Sequence, residues 1–132
     1  ASFVASTAEW LGKHFVDTLD AAFEHPGFSL VHIAQRCPKF NPDAWNYKDS
    51  SWIEFLSADN AVSPDLKGAP DAGVIQHDPS DFNGAIDLCN KVPSLFGLFY
   101  RQEKPMYDSL LLESIKSTPK KDPDALLDAY RI

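Results

Sequence analysis

Apolar and polar positions along the first 37 residues predict a strand, a helix and a second strand. The apolar segment Ala1–Ala5 predicts the first strand. A helical repeat follows and ends at Pro26-Gly27, and its apolar face consists of Leu11, Phe15, Leu19 and Ala22. Phe28–Gln35 is largely apolar on both faces, which is typical of a central strand in a parallel sheet. The pattern therefore predicts a right-handed βαβ unit over residues 1–37 and an α/β fold.

Local signals place the polar residues of this unit. Ser6 and Glu9 have the spacing of a capping box, which predicts that the helix begins just after Ser6. His14 and His25 lie on or just after the amphipathic helix, and we expect both on the surface.

The next segment, residues 38–76, predicts little regular structure. Its large aromatic residues could stack a planar ligand, although such residues more often anchor an irregular segment on the core; they are Trp45, Tyr47, Trp52 and Phe55. Ser57–Gly73 is polar and rich in Pro and Gly, which is typical of a long functional or mobile loop. A very short strand is predicted over Val74–Gln76.

Residues 77–132 predict a tail of helix, strand and further helices. Asp78-Pro79 has the pattern of a helix cap followed by Pro at the first helical position. Ser94–Arg101 predicts a second buried strand, and Pro105 can start a short helix. Asp122-Pro123 predicts a last helix.

Composition removes several classes of function. The chain has 132 residues and a formal net charge of −7 without a stripe of Lys or Arg, which argues against nucleic-acid binding. No apolar stretch is long enough to cross a membrane and no signal peptide is visible. Two cysteines far apart indicate a reducing compartment, and we expect the cytoplasm. Because the sequence starts with Ala inside a predicted strand, we expect a fragment of a larger protein, or a processed or split subunit.

Cys37 is the candidate site residue, because it lies just past the carboxyl end of a predicted parallel strand, where α/β sheets bind ligands. Three interpretations remain open: a small buried apolar residue, a nucleophile that needs a nearby His, or one metal ligand whose partners come from outside the chain. Cys89 lies on the apolar side of a predicted helix, where we expect core packing. His77-Asp78 matches no zinc pattern, no two carboxylates form an evident acid/base pair, and no phosphate-binding glycine motif is present.

Two segments resemble one family. HPGFSLVHIAQRCPKFN resembles the strand-to-cysteine segment of the thiamine-diphosphate-binding β subunit of 2-oxoacid:ferredoxin oxidoreductases. HDPSDFNGAIDL followed by PSLFGLFYRQEKPMYDSLL resembles the C-terminal part of that subunit. The resemblance covers most of the chain in the right order and implies part of a thiamine-diphosphate-binding fold.

The resemblance also implies a function and a role for Cys37. The family decarboxylates a 2-oxoacid oxidatively, transfers the acyl group to coenzyme A and passes electrons through 4Fe-4S clusters to ferredoxin. Cys37 matches the last ligand of the cluster nearest the thiamine cofactor. The other three ligands, and the motif that holds Mg2+ and the diphosphate, belong to the upstream part of the β subunit, so the isolated chain is expected to be inactive. An α subunit is the further expected partner.

Two points stay open within this resemblance. Arg36 stands where we expect a small residue, so that it either places a positive charge beside the cluster or marks a subfamily. The alternative function is a non-catalytic scaffold or interaction module that retains this fold segment, with the aromatic residues near Trp45 and Trp52 as its partner surface.

Overall fold

The computed structural model describes residues 1–40, 42, 45–46, 48–57, 62–92 and 94–118. The strands are β1 (Phe3–Ala8), β2 (Ser29–Ala34), β3 (Glu54–Ser57), β4 (Gly73–Gln76) and β5 (Leu95–Arg101). The helices are α1 (Gly12–Glu24), α2 (Phe82–Cys89) and α3 (Tyr107–Ser117). None of these helices is long and apolar enough to cross a bilayer.

The five strands form one mixed sheet in the order β2-β1-β5-β3-β4. β1 and β2 are parallel, and β5 is parallel to β3, which is parallel to β4. The two parallel sets meet at the antiparallel pair of β1 and β5. The carboxyl ends of β1 and β2 therefore share one edge of the sheet with the amino ends of β3, β4 and β5. The predicted α/β class and the βαβ unit are confirmed.

Helices cover both faces of the sheet. Phe3 and Ala5 of β1 pack with Ala21 and Ala22 of α1, whereas the intervening Val4 packs in the cluster that contains Ala85 of α2. Because alternate residues of a strand point to opposite faces, α1 and α2 lie on opposite sides. By contrast, every residue of α3 is exposed.

The central position of the sheet belongs to β5, and the prediction that β2 is a central strand is wrong. β2 is the outermost strand, with Leu30 53% exposed and Ile33 41% exposed. β5, predicted as a buried strand, is buried from Leu95 to Phe99. At Gly97 an added Cβ would lie 2.9 Å from the Cβ of Leu56, so glycine allows β5 to approach β3 this closely.

Several predicted boundaries also differ. The segment 38–76, predicted as irregular, contains β3 as well as the short predicted strand at β4. The capping box is wrong, because Ser6 lies within β1, which extends to Ala8, and α1 begins at Gly12 without a side-chain cap. The predicted last helix after Asp122 lies outside the described residues.

The cap of the second helix was predicted three residues too early. Asp81, and not Asp78, accepts a hydrogen bond at the start of α2, from the backbone N–H of Gly84. Asp78 instead accepts hydrogen bonds from the backbone N–H and the hydroxyl of Ser80, which forms the turn before the helix.

Candidate functional site

Cys37 lies at the edge of the sheet where β1 and β2 end. It follows the last residue of β2, Ala34, by three positions, and its side chain is exposed. Its predicted location past the carboxyl end of a parallel strand is confirmed, and the interpretation as a buried packing residue is wrong. Its role as a cluster ligand stays a prediction.

The backbone just before Cys37 is tied to the end of β1. The backbone N–H of Glu9 donates to the carbonyl of Ala34, which extends the parallel ladder one residue past β1. Beyond that point the contact between the two chain segments is made by the Glu9 side chain. Its Oε1 accepts from the Arg36 backbone N–H at 3.3 Å and from the Arg36 Nε at 2.7 Å. The side-chain hydrogen bond from Arg36 lowers the pKa of the Glu9 carboxyl, and desolvation only partly opposes this.

Aromatic residues brace the same edge of the sheet. Trp45 donates through its indole N–H to the carbonyl of Gln35 at 3.2 Å. Its ring stacks on Trp52, with 5.8 Å between centroids and 17° between planes, and Trp10 and Phe96 complete the group. These rings pack against the buried cluster around Phe55, so the structure supports the interpretation that they anchor an irregular segment on the core. Tyr47 lies outside the described residues.

Potential metal donors are sparse around Cys37. The described residues contain no group of three or more His, Cys, Asp or Glu side chains that could hold a metal ion. Cys89 ends α2 and is exposed, so the prediction that it packs in the core is wrong. Cys37 can therefore supply one ligand to a metal cluster, and its exposed position is compatible with further ligands from another polypeptide segment.

The histidines make polar contacts away from Cys37. Hydroxyl groups of β1 and of the residue before it lie next to three of them: Ser2 lies 2.8 Å from His25, Ser6 lies 3.0 Å from His32, and Thr7 lies 2.8 Å from His14. The fourth, His77, donates through Nε2 to the carbonyl of Phe99 at 2.6 Å. None of the hydrogen bonds among described residues joins a histidine to Cys37, which counts against a thiol nucleophile activated by histidine.

Two of these histidines are buried, and the prediction that they lie on the surface is wrong. His14 is 0% exposed and His25 is 4% exposed. Burial lowers the pKa of His14 to about 4, although Asp65 and Asp17 act in the opposite direction. The signal in the sequence is spacing: Leu11, His14 and Thr18 follow one another at three and four residues, which is a second stripe on the same helix.

A separate cavity of about 510 Å3 lies at the opposite end of β1 from Glu9. Gly27 and Phe28 line one side, and the segment 104–108 before and at the start of α3 lines the other. It contains neither cysteine, so it is not part of the candidate site.

Comparison with known proteins gives one structural relationship. No protein-family model matches the sequence, and neither does any curated protein sequence. A solved structure of 2-oxoglutarate:ferredoxin oxidoreductase from Magnetococcus marinus, with 2-oxoglutarate, coenzyme A and succinyl-CoA bound, matches with a TM-score of 0.71 and 21% identity. The two proteins share a fold. The match covers 100% of this chain and 41% of the oxidoreductase chain, so this chain spans less than half the length of its structural neighbour.

Proposed function

We propose that this chain is the C-terminal part of the thiamine-diphosphate-binding β subunit of a 2-oxoacid:ferredoxin oxidoreductase. The observation that carries the proposal is the fold match over the whole chain. The exposed thiol of Cys37, just past the carboxyl edge of the β1–β2 pair, supports it. A strand end fixes the backbone of such a thiol while leaving its sulfur accessible.

Cys37 holds one iron of a 4Fe-4S cluster in this proposal. Such clusters normally take four thiolates, and Cys37 is the one that this chain offers at the sheet edge, so the others come from the rest of the β subunit. When bound, the cluster accepts and passes on single electrons. We assign no residue of this chain to Mg2+ or to the diphosphate of thiamine diphosphate.

The complete enzyme catalyses the oxidative decarboxylation of a 2-oxoacid in the cytoplasm, with coenzyme A as acyl acceptor and ferredoxin as electron acceptor. Its assembly includes the remainder of the β subunit and an α subunit. The ligands of the structural neighbour, 2-oxoglutarate, coenzyme A and succinyl-CoA, support this reaction class and make 2-oxoglutarate the first substrate to test.

The test replaces Cys37 in the complete enzyme. We expect Cys37→Ala to lose the visible absorbance and the electron paramagnetic resonance signal of one cluster, together with 2-oxoacid-dependent electron transfer, because a ligand is missing. Cys89→Ala is the matched control, since Cys89 is also an exposed thiol and we expect it to keep both. Survival of the cluster and of the activity in Cys37→Ala would rule out the ligand role.

One observation favours the alternative of a non-catalytic interaction module. α3 buries none of its residues, and its exposed side chains include Leu110, Leu112 and Ile115. An apolar helix of this kind is suited to a protein partner. Because Trp45 and Trp52 are half-buried and pack on the core, α3 is a better partner surface than these rings. A complete protein that contains no iron after anaerobic reconstitution would favour this alternative.

A further inference from the structure

We propose that the ion pair of Glu9 and Arg36 positions Cys37 and sets the reduction potential of the iron centre that Cys37 binds. This inference rests on the proposed function of Cys37. Glu9 follows the end of β1 and Arg36 follows the end of β2, and the two side chains meet immediately before Cys37 in the chain.

The pair fixes the polypeptide next to Cys37. A single carboxylate oxygen of Glu9 accepts from both the backbone and the side chain of Arg36. A rotation of the Glu9 side chain would therefore break both hydrogen bonds together. The carbonyl of the preceding residue, Gln35, is held by Trp45. The two residues that lead into Cys37 are therefore both restrained, Arg36 by Glu9 and Gln35 by Trp45.

The pair also carries two opposite charges, one of them on the residue that precedes Cys37 in the chain. Arg36 is adjacent to Cys37 in the chain, and the carboxylate of Glu9 lies 2.7 Å from its Nε. Reduction adds one electron to an iron–sulfur cluster, so a nearby positive charge favours the reduced form and a nearby negative charge opposes it. Glu9→Gln deletes a negative charge and Arg36→Gln deletes a positive one, so we expect the two substitutions to shift the reduction potential in opposite directions.

Opposite shifts from the two halves of the pair are therefore the expected signature. In the complete enzyme, Glu9→Gln raises the reduction potential of the Cys37 centre, Arg36→Gln lowers it, and the double variant returns close to the original value. Both side chains are 31% exposed, so water and salt screen the effect and the shifts shrink as ionic strength increases. A merely structural role would give shifts without this reversal of sign.

A second ion pair provides the control. Lys91 and Glu54 are also partly exposed and lie 3.2 Å apart at the start of β3, with β1 and β5 between that strand and β2. Three strand spacings amount to about 14 Å, beyond the screening length of about 10 Å at 0.1 M salt. We expect Glu54→Gln and Lys91→Gln to leave the potential unchanged.

The measurement is a redox titration followed by electron paramagnetic resonance, combined with hydrogen exchange of the peptide that contains Arg36. Glu9→Ala removes the acceptor of the Arg36 amide altogether, which should speed exchange of that amide by about fivefold, the equivalent of one hydrogen bond. Arg36→Lys keeps the charge and should keep the potential, which preserves the test if Glu9→Gln fails to fold.

Two results overturn the inference, and they differ from failure of the proposed function. If Cys37→Ala loses the centre but both single variants keep its potential, or shift it in the same direction, the ion pair does not set the potential. Unchanged exchange of the Arg36 amide in Glu9→Ala would rule out the positioning role. If Cys37→Ala keeps the centre, the proposed function fails and the inference fails with it.

Discussion

At the scale of single residues, the polar groups inside the core are the features with the clearest consequences. His14 has no exposed surface, and its Nδ1 lies 2.8 Å from the hydroxyl of Thr7. Its Nε2 has no hydrogen-bond partner among the described residues. A charged imidazolium in this position would lose its hydration, and among the described residues no carboxylate is hydrogen-bonded to it, so the folded chain favours neutral His14 although Asp65 and Asp17 act in the opposite direction.

This burial predicts a loss of stability in acid. Burial lowers the pKa of His14 from 6.5 to about 4, so below pH 6.5 the unfolded chain binds a proton that the folded chain does not. The free energy of unfolding should therefore fall as the pH drops from 6.5 to 4, by about 3 kcal/mol for a difference of about 2.5 pH units. Urea denaturation at several pH values measures this.

The control for the acid effect is a variant without the titrating group. His14→Gln should be less stable at pH 7, because it changes a buried contact with Thr7, but its stability should vary less between pH 6.5 and 4. His32→Gln is a matched variant of an exposed histidine, for which we expect the acid effect to remain. An unchanged pH dependence in His14→Gln would show that another group causes the loss.

At the scale of secondary-structure elements, helix α2 shows how a cap is chosen. Both Asp78 and Asp81 are candidate caps by residue type, but Asp81 accepts from the backbone N–H of Gly84. A Cβ on Gly84 would lie 2.6 Å from Oδ2 of Asp81, so the absence of a side chain there lets the carboxylate close over the helix terminus. The glycine three residues after Asp81 distinguishes it from Asp78.

Replacement of the two aspartates tests this assignment. Asp81→Ala should lower the free energy of unfolding by about 1 kcal/mol, since it removes the cap of α2. Asp78→Ala removes only turn hydrogen bonds to Ser80 and should cost less. Urea denaturation of both variants, with Asp81→Asn as the conservative control, gives the comparison. A larger loss in Asp78→Ala would contradict the assignment.

The sequence was sufficient to predict the strands and helices whose structure follows from their own pattern of apolar and polar residues. The β1-α1-β2 unit, β5 and α3 were predicted because each carries a sufficient run of apolar residues or helical spacing. β3 was missed because its pairing with β5 and β4, and not a local pattern, decides its structure. The position of β2 was also mispredicted, because an apolar strand looks the same whether its neighbours cover it or not.

The candidate site was predicted in part for the same reason. The location of Cys37 follows from local order alone, because β2 ends just before it. The contact of Glu9 with Arg36 was not predictable, because it depends on the parallel register that places Ala8 opposite Ala34. In the sequence Glu9 instead fitted a helix cap, and nothing local distinguishes the two roles.

At the scale of the whole molecule, apolar surface remains uncovered in three places. The outer strand β2 exposes Leu30 and Ile33, α1 ends with Phe23 87% exposed, and α3 buries no residue. Scattered apolar residues on a surface are ordinary, but an outer strand and a complete helix that both lack cover are suited to contact with further polypeptide. The structural neighbour, whose chain is less than half covered by this one, has the same fold over the matched part.

The candidate site, like this apolar surface, is suited to contact with further polypeptide, because Cys37 offers one thiol and the described residues provide no group of three metal donors. The 132-residue chain alone should therefore show no coenzyme A-dependent reduction of ferredoxin or methyl viologen by 2-oxoglutarate, even with thiamine diphosphate, Mg2+, iron and sulfide supplied. The complete enzyme, assayed in the same mixture, should be active. Turnover by the isolated chain would mean that its own residues bind the cofactors, and would contradict the assignment of Cys37 as one ligand among several supplied by other polypeptide.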